Sequence, residues 1–330
     1  GNLGDLIALS DIDLQLKGSG KDLSAVGVIV DKKLPATDEF AVKGRLTGSG
    51  KALSLKEAQG SAKQGSLSVA LSGEVKDLIA FSGLDLKLKG AGKEVVLSTL
   101  TLVEAASESA AVKRLCENEE FMVEANDTSA IQFLSSAGRP FATGPSVNIY
   151  NHRTLSLLAR LGLKRWVLPV ELGISTLAQY QAEKPGGVET EAWALGKLPL
   201  AYSARCYTAR SENLPKDDCR FKCIDFPDGR LLKTREDQDF LVLNGTQTQS
   251  ALTHHAIDQL PELNKLGVDV LRISPQFEYT MEIIGLFDQA RNGHMVHELH
   301  DRLMAVLPNG ACNGYLLERP GMDHEHPFAA

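Results

Sequence analysis

The segment FMVEANDTSAIQFLSSAGRPFATG, residues 121–144, contains one complete β–α–β unit and decides the fold of the larger part of the chain. Residues 121–124 (FMVE) predict a strand that begins with three apolar residues, and Asp127 is a favoured N-cap for the helix that follows. Gly138 is suited to end that helix in the left-handed conformation, and a second strand begins at Phe141. The segment is therefore typical of a parallel sheet whose strands alternate with helices.

The same alternation continues on both sides of this unit. Gly138 and Gly162, which each end a predicted helix, are 24 residues apart in sequence, about the length of one (β/α) unit. About six strands are predicted, fewer than the eight of a closed barrel, so we expect an α/β fold with an incomplete TIM-like (β/α) barrel. The other predicted strands include Val95–Leu97, Trp166–Val170, Phe240–Leu243 and Val268–Ile273.

The amino-terminal residues 1–92 have a different character and contain no Cys, His or Trp. Apolar Ile12, Leu14 and Leu16 alternate with polar residues, and this period of two predicts antiparallel strands with one apolar face. The sequence therefore predicts an antiparallel all-β segment over residues 1–92, followed by the (β/α) domain over residues 93–330.

An internal repeat supports the β interpretation of the first segment. Gly4–Leu23 (GDLIALSDIDLQLKGSGKDL) is similar to Lys76–Val95 (KDLIAFSGLDLKLKGAGKEV) at an offset of 72 residues. Repeats of this kind usually form stacked β units that share one hydrophobic face.

Composition excludes several classes of protein. The 330 residues carry a net charge of -7, which argues against nucleic acid as the main partner because phosphate binding needs a basic surface. The sequence has no apolar run long enough to predict a transmembrane segment, and no signal peptide is visible. Five cysteines are sparse and odd in number, which indicates a reducing compartment, and we expect a cytoplasmic protein.

Three of the cysteines lie in one short stretch, Ser203–Gly229. Twelve residues separate Cys206 from Cys219, and three separate Cys219 from Cys223. Soft thiolate ligands suit zinc and iron–sulfur clusters, and both remain open at this point. One close pair with a single distant cysteine fits a zinc finger less well than two pairs would, which favours a cluster.

The other two cysteines are the remaining candidates for a fourth ligand. Cys116 lies within a predicted helix and is interpreted as a small buried hydrophobic residue. Cys312 lies in a predicted carboxyl-terminal loop, from which it can approach other elements.

Polar residues follow several predicted strands, where the active sites of barrels lie. Glu124, Glu171 and Asn244 are candidates for lining a pocket at this end of the barrel. Alternatively, the two glutamates cap helices or pair with Arg165 or Arg272.

The histidines form two groups that we interpret as exposed. One group lies at spacings of three on a predicted helix, where two histidines could share a face and bind a metal, but no acid or cysteine at ligand spacing completes a known site. The other group follows a glutamine-rich turn. The sequence also lacks a Gly-x-Ser-x-Gly nucleophile motif. The histidines concerned are His254, His255, His294, His297 and His300.

Several stretches together resemble a known family. FMVEANDTSAI, RWVLPVEL, LPLAYSARCYTARSENLPKDDCRFKC, FLVLNGTQTQSA and VDVLRISPQ are similar to the UbiV-type branch of the collagenase-like peptidase family, over residues 93–320. The resemblance implies a TIM-like barrel that carries a [4Fe–4S] cluster and is not a peptidase. It implies a role in the oxygen-independent hydroxylation steps of ubiquinone biosynthesis, in a heterodimer with a UbiU-like protein that acts on a ubiquinone precursor.

The resemblance assigns Cys206, Cys219 and Cys223 as three of the four cluster ligands. The family's fourth cysteine lies before the stretch that matches Lys93, and the β-repeat segment occupies that place here. We therefore expect a barrel without its first strands and a cluster that is one ligand short. A join of two unrelated coding sequences near residues 90–93 would explain this arrangement.

Residues 1–92 resemble the repeats of AsmA-like envelope proteins, which handle lipid. Three alternatives to the iron–sulfur function thus remain from the sequence: a collagenase-like peptidase, an AsmA-like lipid-handling envelope protein, and a structural zinc protein.

Overall fold

The computed structural model describes residues 12–26, 37–49, 52–64, 67–77, 82–91, 95–215 and 218–325. The chain divides into two compact units, Gly1–Val95 and Val96–Ala330. The first part of the internal repeat, residues 4–11, lies outside the described residues.

The first unit contains a five-stranded sheet in which sequence neighbours pair in an antiparallel arrangement. The prediction of antiparallel strands for this part of the chain is confirmed. The strands are β1 Ile12–Gly20, β2 Glu39–Ser49, β3 Ala52–Gln64, β4 Leu67–Asp77 and β5 Ser82–Ala91.

The apolar face of this sheet is only partly buried. Leu14 lies opposite Leu46, which lies opposite Leu55 on the next strand, so apolar side chains meet across the strands. Buried residues in this unit include Ile12, Phe40, Ala58 and Val75, whereas Leu16, Val42 and Leu71 are exposed.

The second unit is built on six parallel strands, of which the first five follow one another in sequence and space. The sixth, β14, pairs in parallel with β10. This arrangement confirms the α/β fold with an incomplete barrel. The strands are β6 Val96–Ser98, β7 Met122–Ala125, β8 Phe141–Thr143, β9 Leu163–Val167, β10 Glu189–Tyr202 and β14 Val270–Ile273.

Strand β10 has 14 residues and changes partner along its length. Its first part pairs in parallel with β9 and β14, and its second part pairs antiparallel with β13. The ladder with β13 shifts register on both sides of Pro199, which has no N–H to donate, and strand prolines are tolerated at such irregularities.

An antiparallel extension follows β10 and was not predicted from the sequence. Strands β11, β12 and β13 pair in sequence order, and the short β15 pairs in parallel with β13. The prediction contained only the β12 segment of this extension. The strands are β11 Arg230–Lys233, β12 Asp239–Asn244, β13 Gln247–His255 and β15 Ala311–Cys312.

In the part of the second unit that the structure describes, eight α-helices accompany the sheet. The predicted caps are confirmed: the Asp127 carboxylate accepts a hydrogen bond from the Ser129 N–H at 2.7 Å, and Gly138 and Gly162 follow helix ends with positive φ. The helices are α1 Ala106–Cys116, α2 Thr128–Ser136, α3 His152–Arg160, α4 Ile174–Glu183, α5 Tyr207–Ser211, α6 Leu260–Lys265, α7 Thr280–Arg291 and α8 Val296–Met304.

The core of this unit contains aromatic side chains whose polar groups are satisfied. The Trp166 ring lies 4.8 Å from the Tyr180 ring, and its Nε1–H donates to Thr190 Oγ1 at 3.2 Å. The Tyr180 hydroxyl donates to the Ile149 carbonyl at 3.0 Å. Buried aromatic residues contribute large apolar area at little polar cost when these bonds are made.

Within the described residues, none of the helices combines the length and apolar character needed to cross a bilayer.

Two leucines on α3 provide a test of the packing. Leu155 is completely buried and Leu157 is 48% exposed. We expect Leu155→Ala to lower the free energy of unfolding by about 3 kcal/mol, because it leaves a cavity, and Leu157→Ala to change it by less than about 0.5 kcal/mol. Urea unfolding followed by circular dichroism measures both, and equal losses would contradict this packing of α3.

Candidate functional site

Five polar residues meet near the carboxyl ends of β6, β7 and β14 and near the start of β10, and we call them the strand-end cluster. They are Ser98, Glu124, Asn126, Glu191 and Arg272. The topology brings four of them together, because the carboxyl ends of parallel strands lie at one edge of a sheet. Glu191 is the third residue of β10 and joins the cluster through Arg272, whose Nε donates to its carboxylate. Register places Ser98 directly beside Glu124 on the neighbouring strand.

Arg272 connects the two carboxylates of the strand-end cluster. Its guanidinium donates to Glu191 through Nε and to Glu124 through Nη2. Both glutamate side chains are only 8% exposed. Burial opposes the charge of Arg272, but its hydrogen bonds and charge interactions with Glu124 and then Glu191 outweigh this effect and raise its pKa.

Neutral groups complete the environment of Glu124. Ser98 Oγ donates to Glu124 Oε1 at 3.1 Å, and Asn126 Nδ2 donates to Ser98 Oγ at 2.8 Å. Gly144 leaves the space that this arrangement needs, because a Cβ at that position would lie 1.9 Å from Asn126 Oδ1. The cluster is thus a fixed ion-paired network, as the pairing alternative for Glu124 and Arg272 predicted.

Glu191 belongs to this cluster but was missed by the sequence analysis. It lies in the segment ETEAWALG of β10, where a charged residue within a mostly apolar strand was the available signal. The signal was overlooked because this strand was not predicted.

Glu171 lies elsewhere and interacts with Tyr150. Desolvation, followed by the charge of Glu171 and a hydrogen bond with it, raises the pKa of the Tyr150 hydroxyl to about 12. Glu171 is exposed, and the contacts of the strand-end cluster do not include it. The two predicted glutamates therefore belong to different local networks.

Asn244 lies at a hairpin turn beside Ser203–Gly229, the stretch with three cysteines, which we call the cysteine segment. It ends β12, and Gly245 and Thr246 connect it to β13. The carbonyls of this turn accept hydrogen bonds from Tyr207 N at 2.8 Å and from Ser203 N at 2.9 Å. The hairpin turn thus anchors the chain just before and just after Cys206.

Arg230, which follows the carboxyl-terminal end of the cysteine segment, also restrains it. Arg230 Nη1 donates to Ser211 Oγ at 2.6 Å and pairs with Glu212, and its guanidinium lies 4.6 Å from the centre of the Phe226 ring. Arg230 therefore connects the part of the segment that follows Cys206 with the part that follows Cys223.

All five cysteines are free thiols, and their environments fall into two classes. Cys206 and Cys219 are partly exposed and Cys223 is exposed, whereas Cys116 and Cys312 are 3% and 1% exposed. Cys206 caps α5, and its Sγ accepts a hydrogen bond from Ala209 N at 3.4 Å.

The two buried cysteines have the opposite character. Desolvation raises the pKa of Cys116, and it raises the pKa of Cys312 to about 12. Metal ligands are thiolates, so burial makes both residues poor donors. Cys312 was predicted to lie in a loop, but it belongs to β15 and is buried.

The histidines differ from the sequence interpretation. His294 and His297 are exposed as predicted, but His294 precedes α8 and is not on this helix. His300, on the same helix as His297, is 1% exposed. His254 and His255 were expected to be exposed and are 3% and 0% exposed, because β13 is an interior strand between β10 and β12. The prediction of exposure was wrong for His254, His255 and His300, because β13 and α8 place these side chains in the core.

Replacement of Arg272 tests the strand-end cluster. Arg272→Met leaves two mostly buried carboxylates without their cation, and we expect the free energy of unfolding to fall by about 3 kcal/mol. Arg291→Met is the control, because Arg291 pairs with Asp288 and their side chains are 68% and 56% exposed, and we expect about 1 kcal/mol or less. Urea unfolding distinguishes the two, and a smaller loss for Arg272→Met than for the control would contradict the network.

Thiol labelling tests the two classes of cysteine. In metal-free protein, a chromogenic disulfide reagent at pH 8 should modify three thiols rapidly and two slowly, because Cys206, Cys219 and Cys223 are accessible and the other two are buried. Raising the pH to 9 should leave Cys312 slow, since its pKa is about 12. The rapid phase should disappear in the variant Cys206→Ala/Cys219→Ala/Cys223→Ala. A rapid phase that persists in this variant would contradict the assignment of the three accessible thiols.

Comparison with known proteins places the second unit in a family. A family model described as Peptidase family U32 matches residues 86–326, well over half of the chain. No solved structure matches the chain. The matched residues include the six parallel strands, the antiparallel extension, the strand-end cluster and the cysteine segment. The chain therefore belongs to peptidase family U32, the collagenase-like family.

Proposed function

We propose that this member of family U32 is an iron–sulfur protein of oxygen-independent ubiquinone biosynthesis. The observation that carries the proposal is the confinement of three free, partly or fully exposed cysteines to one anchored segment. Thiolates are the usual protein ligands of iron–sulfur clusters. Membership of family U32 is consistent with this proposal, because the similarity to the UbiV-type branch lies within the matched residues.

In this proposal Cys206, Cys219 and Cys223 bind a [4Fe–4S] cluster. Cys206 Sγ is held by a hydrogen bond from the Ala209 N–H at 3.4 Å. Each thiolate of such a cluster binds a different iron, so the three sulfurs need not approach one another as closely as ligands of a single ion. When bound, the cluster supplies one-electron redox chemistry, and the protein's contribution is to hold it and to tune its potential through nearby charge.

The proposal includes a UbiU-like partner in a heterodimer and a ubiquinone precursor. Apolar side chains lie exposed near the strand-end cluster, where Tyr202 interacts with Thr101, Glu124 and Arg272. Exposed apolar groups beside an ion-paired network suit either an apolar ligand or a protein partner. The exposed residues are Leu100, Leu102, Leu200 and Tyr202.

The proposed role is that of a subunit of a hydroxylation system in the cytoplasm, where thiols stay reduced. The chain contributes three cysteine ligands in this scheme, and neither buried cysteine serves as the fourth.

The family name favours peptidase activity as a second candidate. Turnover of gelatin by the purified protein, abolished by a chelator, would support that activity. Absence of turnover from protein that retains its cluster would support the iron–sulfur proposal.

For residues 1–92 we propose an AsmA-like β-repeat domain with a lipid-facing surface. The exposed apolar residues Leu16, Val42 and Leu71 support this assignment. Binding of a fluorescent phospholipid, weakened by Val42→Ser, would support it, and binding that is unaffected by the substitution would contradict it.

Iron and sulfide analysis tests the main proposal. Protein purified or reconstituted without oxygen should contain about four iron and four sulfide per chain and show a broad visible absorption that dithionite bleaches. Cys206→Ser, Cys219→Ser and Cys223→Ser should each lower both contents several-fold, because each removes one of three thiolates.

Cys116→Ala and Cys312→Ala are the matched controls and should retain the wild-type iron content. A colourless wild-type protein that contains zinc but no sulfide would overturn the cluster assignment. Loss of iron in Cys312→Ala alone would instead identify Cys312 as a ligand and contradict the three-cysteine arrangement.

A further inference from the structure

We propose that His255, Asp258 and His300 form a binding site for a divalent transition-metal ion such as Zn²⁺, with His324 as a fourth ligand. Within the described residues, His255, Asp258 and His300 each offer one ligand atom, and these atoms lie within 4.8 Å of one another. The site is separate from the cysteine segment in both residues and donor chemistry. We call it the histidine site.

Separate elements of the second unit bring the three main ligands together. His255 is the last residue of β13 and lies opposite Leu195 of β10. Asp258 lies in the single 3-10 turn Ile257–Gln259 that follows this strand, and His300 is on α8. A metal at this position would fasten α8 to the end of β13.

The contacts among the ligands are those of a compact polar site. His300 Nδ1 lies 2.8 Å from Asp258 Oδ2 and 3.0 Å from Oδ1, and His255 Nδ1 lies 3.8 Å from Asp258 Oδ2. Zinc bonds to nitrogen and oxygen are about 2.0–2.2 Å, so ligand atoms of one tetrahedral ion are separated by about 3.3–3.6 Å. Binding one ion would therefore lengthen the 2.8 Å His300–Asp258 separation by about 0.5 Å and shorten the widest separation in the group, at most 4.8 Å, by about 1 Å.

His324 approaches the same group from the carboxyl-terminal segment. Its Nε2 lies 3.0 Å from Nε2 of His255, and its ring is stacked on the His300 ring with the centres 5.8 Å apart. Each imidazole gives a single ion only one of its nitrogens, so a site that includes His324 Nε2 takes Nε2 of His255 and not the Nδ1 that faces Asp258.

The segment that carries His324 is fixed by Asn313, which is completely buried. The Asn313 side chain donates to the Glu325 carbonyl at 2.9 Å and accepts from Glu325 N at 2.8 Å. Asn313 N also donates to the Asp323 carbonyl at 3.0 Å. These bonds on both sides of His324 hold it in place before any ion binds, which lowers the entropic cost of binding.

Burial and donor type indicate the kind of ion. The side chains of His255 and Asp258 are 0% exposed, and that of His300 is 1% exposed. Burying a carboxylate among imidazoles is costly unless positive charge accompanies it, and a divalent cation supplies that charge. Three nitrogen donors and one oxygen donor suit zinc better than calcium or magnesium. The deep burial is typical of a structural ion.

Metal analysis with paired variants tests the histidine site. Wild-type protein should contain about one zinc or other divalent transition metal per chain in addition to its iron, and His300→Gln should lose it. His297→Gln on the same helix is the matched control, because His297 is exposed, and it should retain the metal. The variant Cys206→Ser/Cys219→Ser/Cys223→Ser should lose iron but keep the zinc, which separates this result from the proposed cluster.

A second variant covers the case in which His300→Gln fails to fold. His324 is exposed, so His324→Gln should fold, and its affinity for added Zn²⁺ should fall about 10–100-fold, the loss typical of weakened metal sites. Zn²⁺ added after chelator treatment should raise the melting temperature of wild type more than that of His324→Gln. Equal zinc binding by wild type and His324→Gln, or zinc lost only with the three cysteines, would overturn the proposal.

Discussion

The partner change along β10 is the constraint on which the second unit depends. This strand of 14 residues pairs in parallel with β9 and β14 and then pairs antiparallel with β13, where the antiparallel extension begins. Its first part carries Glu191 into the strand-end cluster. Its second part ends at the cysteine segment, and through β13 it positions His255. One backbone element therefore sets the location of the ion-paired network, the cysteines and the histidine site.

The parts of the fold that the sequence predicts well are those determined by neighbouring residues. The strand, cap, helix and terminating glycine of residues 121–144 follow one another locally, and the structure reproduces each of them. Strand β10 is different because its burial depends on three partners from distant parts of the chain. Its Gly196 and Pro199 reduce the local signal for a strand, although tertiary pairing tolerates both.

The same distinction applies to the functional residues. Glu124 was identified from its position after a strand, but its partners Glu191 and Arg272 are 67 and 148 residues away in sequence. The cysteines were identified because they are close in sequence. His255, His300 and His324 were not grouped, because only the docking of α8 and of the carboxyl-terminal segment against β13 brings them together. Sequence spacing therefore identifies sites whose residues lie in one loop, but not sites whose residues come from elements that are distant in sequence.

The way in which the cysteine segment is anchored has a kinetic consequence. The hairpin turn after Asn244 fixes the backbone at Ser203 and Tyr207, and Arg230 restrains the residues around Ser211 and Phe226. In the proposed cluster, Cys206 and the Cys219–Cys223 pair would be two half-sites joined by this restrained backbone. An iron–sulfur centre bound by one half-site would meet the other at an effective concentration on the order of millimolar. The second binding step would then be a ring closure within one chain, and its rate would not depend on the protein concentration.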